Sequence, residues 1–243
     1  MLKRLYADNY RCLNNFELNF KEIALLLGPN GGGKSTLFDV LRNLRALLVH
    51  RASIEATFPA TDRTIWINRP SQTFELDIQR LDESFSYKLT ISHIPEKNKQ
   101  RVDIERLYCN GKPLFEFNTG EVQLYKDDHT KGPSYPADWS YSALATILPR
   151  HDNQKLTWFK QWIGKMIIVN LQPHSISSEA QEECEYLADD GVNFASWYRY
   201  FSQEHQEKIV ALTKVLDDVI PGFIGLNLAK AGLTTRILNA GFA

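Results

Sequence analysis

Apolar residues alternate with polar ones in Leu2-Lys3-Arg4-Leu5-Tyr6 and again in Phe16-Glu17-Leu18-Asn19-Phe20, the pattern of strands with one covered face. The unbroken apolar run Ile23-Ala24-Leu25-Leu26-Leu27 then predicts a buried strand. From Thr36 to Val49 the period changes, and Leu37, Val40, Leu41, Leu44, Leu47 and Leu48 recur at the spacing of one helical face. The chain is therefore expected to open as β-β-β-loop-helix, with Asn9 to Asn15 joining the first two strands.

After a polar, irregular stretch from His50 to Arg63, short strand-like runs recur at Thr64–Asn68, Thr73–Gln79, Phe85–Ile91, Val102–Tyr108, Leu114–Phe117 and Val122–Tyr125. Turn formers separate them at hairpin spacing: Asp82-Glu83-Ser84, Asn110-Gly111 and Asn118-Thr119-Gly120. Phe74, Leu76 and Ile78 alternate with Glu75, Asp77 and Gln79, so an antiparallel meander with one wet face is expected.

Lys126 to Trp139, with Pro133 and Pro136, reads as a loop and a lobe boundary. Beyond it three helices are expected, at Leu156–Lys165, Ser178–Ala188 and Asn193–Val219, the last ended by Pro221-Gly222. Met166–Leu171 predicts another buried strand, and Gly225–Ala240 returns to alternating character. The expected division is a P-loop and β lobe over 1–125, a mainly helical lobe over 126–222, and returning strands over 223–243.

The chemistry lies between the third expected strand and the first helix. Gly28-Pro29-Asn30-Gly31-Gly32-Gly33-Lys34-Ser35-Thr36 satisfies G-x-x-x-x-G-K-[ST], and its flanking strand and helix are the context that motif requires. Backbone N–H groups can surround a phosphate chain where no Cβ intervenes, at the positive end of a helix. Gly31, Gly32 and Gly33 supply that backbone, Lys34 a charge for the terminal phosphates, and the Ser35 hydroxyl one ligand for Mg²⁺. ATP with Mg²⁺ is the expected ligand.

The strand, the turn Asn9-Tyr10-Arg11, a second strand and then Gly-Pro-Asn-Gly-x-Gly-Lys-Ser-Thr together resemble the N-terminal part of ABC-type ATPase heads. Such heads occur in SMC, RecF and OLD-family proteins and in the AAA-type ATPases allied to them. Gly32 stands where that family commonly has Ser. The resemblance implies an α/β P-loop fold with an antiparallel β lobe and a helical lobe, and nucleotide-dependent homodimerisation. It also implies work on DNA or on a nuclease-like effector, in repair, chromosome maintenance or antiphage defence. By the same resemblance Arg11 points toward the phosphates or a DNA-facing surface, with a solvated turn arginine as the equal alternative, and one of Gln72, Gln79, Gln123 or Gln154 senses Mg²⁺, although each is more simply a surface amide.

Such a head also needs an Asp-Glu at a strand end and a Leu-Ser-Gly-Gly-type signature. Asp189-Asp190 and Asp217-Asp218 are the nearest approach to the first, but both lie in or beside helical patterns, where Asp is common. Nothing from Gly225 to Ala243 resembles the second. The chain therefore resembles an N-terminal portion of a head, and a nucleotide-binding interaction module without useful turnover is the alternative reading.

Composition narrows the picture a little. With 28 basic and 29 acidic residues (net charge −1) there is no global basic field for sequence-independent nucleic-acid binding. Cys12, Cys109 and Cys184 are too far apart for a zinc site and odd in number, which suits a reducing cytoplasm. No apolar run approaches the ~20 residues needed to cross a bilayer, so no membrane association is expected. The [NT]-K-x-D and D-x-x-G motifs of a GTPase are missing, and no histidine pair has ligand spacing. Trp158, Phe159 and Trp162, near Arg150 and Lys160, offer a stacking and phosphate surface as one reading, but at helical spacing they are expected in the core.

Overall fold

The computed structural model describes residues 1–94 and 99–243. Among these, eight strands form one antiparallel sheet in the order β2-β1-β3-β4-β5-β6-β7-β8. They are β1 (Leu2–Asp8), β2 (Phe16–Asn19), β3 (Ser71–Arg80), β4 (Glu83–Ile94), β5 (Lys99–Cys109), β6 (Lys112–Asn118), β7 (Glu121–Tyr125) and β8 (Lys131–Pro136). The expected meander is therefore present, and two of its turns use the expected residues, while the first is made by Leu81-Asp82, with Glu83 and Ser84 already paired in β4. Asn110-Gly111 and Thr119-Gly120 both take positive φ, which matches the right-handed twist of the strands they join.

One face of this sheet is covered. Phe74, Leu76 and Ile78 of β3 and Phe85, Tyr87, Leu89 and Ile91 of β4 are buried, as the alternation predicts. Helix α1 (Lys34–Val49) buries the predicted Leu37, Val40, Leu41, Leu44, Leu47 and Leu48, each such side chain contributing about 1.5–3 kcal/mol. Helix α1 contacts α4 (Gln154–Gly164), which buries Leu156, Phe159 and Ile163. Trp158 lies against Phe85 at 4.8 Å with Arg80 over its ring, and of the three aromatics expected in the core Phe159 is buried while Trp158 and Trp162 are half-buried at its margin. Short helices α2 (Ile54–Thr57) and α3 (Ala143–Thr146) complete the layer, capped by Ser53 and Ser142, so His50–Arg63 is less irregular than expected.

Residues 1–166 form one compact unit and 167–243 a second. In the second, β10 (Phe223–Lys230) and β11 (Arg236–Phe242) form the hairpin expected near the end of the sequence, with β9 (Glu179–Ala180) beside β11. Helix α6 (Gln206–Val219) packs on β10, and α5 (Phe194–Glu204) packs on β9.

Several expectations fail, each for a physical reason. Ile23–Leu27 is not a strand: it has no ladder partner, and Ile23, Leu25 and Leu27 are 90%, 79% and 83% exposed. An apolar run predicts burial only if another strand lies alongside, and that information is not local. The opening is thus β-β-loop-helix. Met166–Leu171 likewise pairs in no ladder, although the Asn170 and Gln172 amides donate to the Asp189 and Asp190 carbonyls. Thr64–Asn68 is a turn closed by Ile67 N–H to Thr64 O at 3.1 Å.

The expected loop from Lys126 to Trp139 contains β8, which tolerates its prolines because it is a sheet edge. Ser178–Ala188 is not a helix; Glu182, Glu183 and Glu185 crowd it without an apolar stripe, and Glu179-Ala180 pairs with β11 instead. The long helix over Asn193–Val219 is broken at His205, whose φ of −138° and ψ of 54° divide it into α5 and α6.

Candidate functional site

Residues 28–36 form a loop that enters α1 through Gly33, whose φ of 84° is a left-handed cap. Gly31 has a φ of 81°, and neither Gly28 nor Gly31 has any atom within 4 Å of where a Cβ would stand. Gly32 N–H closes the loop by donating to Pro29 O at 3.1 Å. Leu37 is the first amide of α1 to bond back, to Gly33 O, which leaves the preceding helical N–H groups at the loop. No side chain caps this end, and no acidic residue lies in its first turn.

Lys34 turns back over the loop, its Nζ donating to Gly28 O at 2.6 Å and Pro29 O at 2.7 Å. One loop thus carries open glycine backbone, a positive helix end and an ammonium, a set of groups that suits a phosphate chain. Ser35 is exposed in the first turn, offering one hydroxyl oxygen to a cation beside such a chain. Asn30 is exposed at the loop tip, and Thr36 is half-buried, accepting a weak contact from Cys12 Sγ at 3.7 Å.

The loop is held by the turn after β1, in which the sequence singled out Asn9-Tyr10-Arg11 as a motif and Arg11 as a site residue. A Cβ on Gly33 would stand 3.0 Å from Cys12 Sγ and 3.3 Å from Leu13, so the turn and the loop are in direct contact. Arg11 donates to Asp39 on α1 at 2.6 Å and to Asp62 at 3.0 Å, and its own amide donates to Asp62 O. The bond to Asp62 raises the pKa of its guanidinium, whose charge sits over the Tyr10 ring at 5.2 Å. Tyr10 is buried edge-on between Phe58 and Phe74, and its hydroxyl accepts from Asn43 of α1.

Asn9, at a φ of 59°, organises the other side of the turn. Its Nδ2 donates to Arg69 O and Ser71 O, and its Oδ1 accepts from Thr64 N–H. Gln72 is fully buried, contrary to the surface amide expected, and donates to Asn9 O at 3.0 Å. Its Oε1 faces His93 Nε2 at 2.9 Å, so that nitrogen carries the proton and His93 is the neutral Nε2–H tautomer. Burial, and then the nearby Arg63, push the His93 pKa down to about 4.

The other three candidate glutamines donate to carbonyl groups: Gln79 to Leu81, Gln123 to Leu124 and Gly132, and Gln154 to His151. Asp189-Asp190 lies in the turn before α5, where Asp190 Oδ1 accepts from Val192 N–H; Asp217-Asp218 lies in the last turn of α6. Neither pair ends a strand. The signals that sequence reasoning overlooked were Asp39, a carboxylate on the helix after the loop, and Asp62, both facing Arg11.

No helix among the described residues is long and apolar enough to cross a membrane. The chain is similar to an OLD nuclease of Thermus scotoductus (strain ATCC 700910 / SA-01), with 27% identity over 139 residues. That alignment covers 56% of this chain and 22% of the relative, so the chain spans well under half of that protein's length. A family model described as an AAA ATPase domain matches residues 1–214, which include the glycine loop, its bracing turn and the whole antiparallel sheet, and the chain belongs to that family.

Proposed function

We propose that the chain binds ATP with Mg²⁺ through Gly28, Pro29, Asn30, Gly31, Gly32, Gly33, Lys34, Ser35 and Thr36, and acts as an ABC-type ATPase head. The observation that carries the reading is the uncapped amino end of α1, with left-handed Gly31 and Gly33 before it and the Lys34 ammonium folded over it. Loop amides and Lys34 hold the β- and γ-phosphates, and Ser35 gives one oxygen to Mg²⁺, which supplies charge neutralisation on the phosphates. Arg11 of the bracing turn, whose guanidinium is paired with Asp39 and Asp62, joins the site by exchanging one of these partners for a phosphate oxygen.

In this reading two nucleotide-loaded copies associate, and the association drives or gates an activity on DNA or on a nuclease-like partner in the cytoplasm. Membership of the AAA ATPase domain family and the likeness to a protein named OLD nuclease support it. Light scattering of the purified chain with and without Mg²⁺–ATP tests it. A dimer that forms with ATP and is lost in Lys34→Ala is expected; a monomer under all conditions would remove the dimer from the account.

A second reading, nucleotide binding without useful turnover by this chain alone, is favoured by the exposed, unpaired Ile23–Leu27. Among the described residues no strand lies beside that run to present a carboxylate to the loop. Phosphate release separates the two readings.

A further inference from the structure

The apolar stripe of α4 carries a cation. Lys160 stands four residues after Leu156 and three before Ile163, so the helical period puts it on the same side as these buried residues, and it is half-buried there. Its Nζ donates to Ala145 O at 3.1 Å and to Ile147 O at 2.7 Å, carbonyl groups at the end of α3. An ammonium has three N–H groups, so these bonds leave one over. Among the described residues no carboxylate pairs with it. Glu105, whose charge reaches it, is fully buried and accepts instead from Tyr87, Ser142 and the Ala143 and Leu144 amides. Burial, and then the nearby Arg51, push the Lys160 pKa down to about 8.

The same side chain lines a cavity of about 220 Å³ together with Val49, Ile147, Pro149, Thr157 and Gly164. The cavity forms where α4 meets the end of α1, and a Cβ on Gly164 would stand 3.5 Å from Val49. Val49 is the last residue of α1, about 22 Å along the helix from Lys34, so this space is separate from the glycine loop. Pro149 and Gln161, which also line it, are exposed, so it is reached from solvent. About 150 Å³ of apolar cavity is enough for benzene, so a six-carbon chain or ring fits here. A mostly apolar space with an unpaired cation on its wall is matched by an apolar ligand with one negative charge. The hydrocarbon part leaves water, and the anion takes the remaining N–H and relieves the uncompensated charge.

We propose that this cavity between α1, α4 and the segment after α3 binds a small apolar monocarboxylate, with its carboxylate on the Lys160 ammonium and its hydrocarbon part against Val49, Ile147 and Pro149. The site lies outside the phosphate loop and does not depend on nucleotide binding. Without such a ligand, Lys160 only closes the end of α3.

The test is calorimetric titration of the full chain with hexanoate, benzoate, the two matching amides and acetate. Saturable one-to-one binding of hexanoate or benzoate is expected, and the tighter of the two tells a chain from a ring. Each acid should bind at least tenfold more tightly than its amide, which keeps the shape and loses the charge. Acetate, with almost no hydrocarbon to bury, should be weaker than hexanoate by tenfold or more. Lys160→Met should erase the advantage of acid over amide. Val49→Trp, which keeps the ammonium and fills the space, should abolish binding of both. Equal affinity for acid and amide in the parent, or no saturable binding of either acid, would overturn the proposal and leave Lys160 as a cap on α3. Undiminished binding in Val49→Trp would overturn it too, by moving the acid elsewhere on the chain. The parent comparison needs no variant, so it decides the matter even where Lys160→Met does not fold.

Discussion

Arg11 Nη1 donates to Asp39 Oδ2 at 2.6 Å, so the turn after β1 is tied to the second turn of the helix that the glycine loop opens. Arg11 also bonds Asp62, and its side chain is about two-fifths exposed. Exposed ion pairs contribute about 0–1 kcal/mol each, which limits what these bonds do for stability. Under the proposed function one of these bonds gives way to a nucleotide phosphate, and a charged hydrogen bond of that kind is worth more, about 1.5–3 kcal/mol. Arg11→Ala is therefore expected to weaken ATP about tenfold or more while shifting the melting temperature by only a few degrees. Unchanged ATP affinity in a titration would leave Arg11 as a brace alone.

Gly33→Ala puts a side chain where φ is 84° and where its Cβ meets Cys12 Sγ at 3.0 Å. The left-handed backbone costs about 1–2 kcal/mol for an L-residue, and the contact adds to it. Denaturant unfolding should show a loss of roughly this size. In a Cys12→Ala background the loss should shrink but persist, because the backbone strain stays. A neutral Gly33→Ala would contradict the loop geometry.

His93 is buried with its Nδ1 unpartnered and its pKa lowered to about 4, against 6.5 for the free side chain. Its folded pKa lies below its unfolded one, so the unfolded chain binds the proton first as pH falls. The stabilisation is full above about pH 6.5 and is lost progressively down to about pH 4, a loss on the order of 3 kcal/mol. Melting temperatures across this window should fall for the parent and fall less for His93→Gln. Parallel curves would mean that His93 is not held neutral. Glu105, buried and with its pKa raised, works in the opposite direction, so the difference between the two curves is the informative quantity.

How much of this was legible from residues alone follows from how local each signal is. Asn110-Gly111 and the alternation in β3 and β4 are satisfied within a few residues or by the next strand, and they appear as expected. The six buried residues of α1 were legible for the same reason. Ile23–Leu27 was misread because burial of an apolar run depends on a partner strand remote in sequence. The glycine loop was legible as a motif, but its support was not. Neither spacing nor composition shows that Gly33 rests on Cys12 and Leu13, or that Gln72 is buried under Asn9. Asn9, Arg11 and Asn15 take positive φ, and Asn is the one residue type among them that hints at it.

Turnover by the 243-residue chain alone should sit near background. The loop grips phosphates, but hydrolysis also needs groups that orient water and stabilise charge, each commonly worth about a hundredfold or more. Phosphate release with a Lys34→Ala control is the measurement. Robust Lys34-dependent hydrolysis would mean that Asp189-Asp190, Asp217-Asp218 or another carboxylate completes the site.

The central claim is that Gly28 to Thr36 cradles the phosphates of ATP, and calorimetric titration of Mg²⁺–ATP into the parent and into Lys34→Ala tests it most directly. The Lys34 ammonium is the cation folded over the loop, and losing such a charge-assisted partner costs roughly 2–5 kcal/mol. Lys34→Ala should bind Mg²⁺–ATP at least thirtyfold more weakly, or by about 2 kcal/mol. Equal ATP affinity in the two proteins would contradict it.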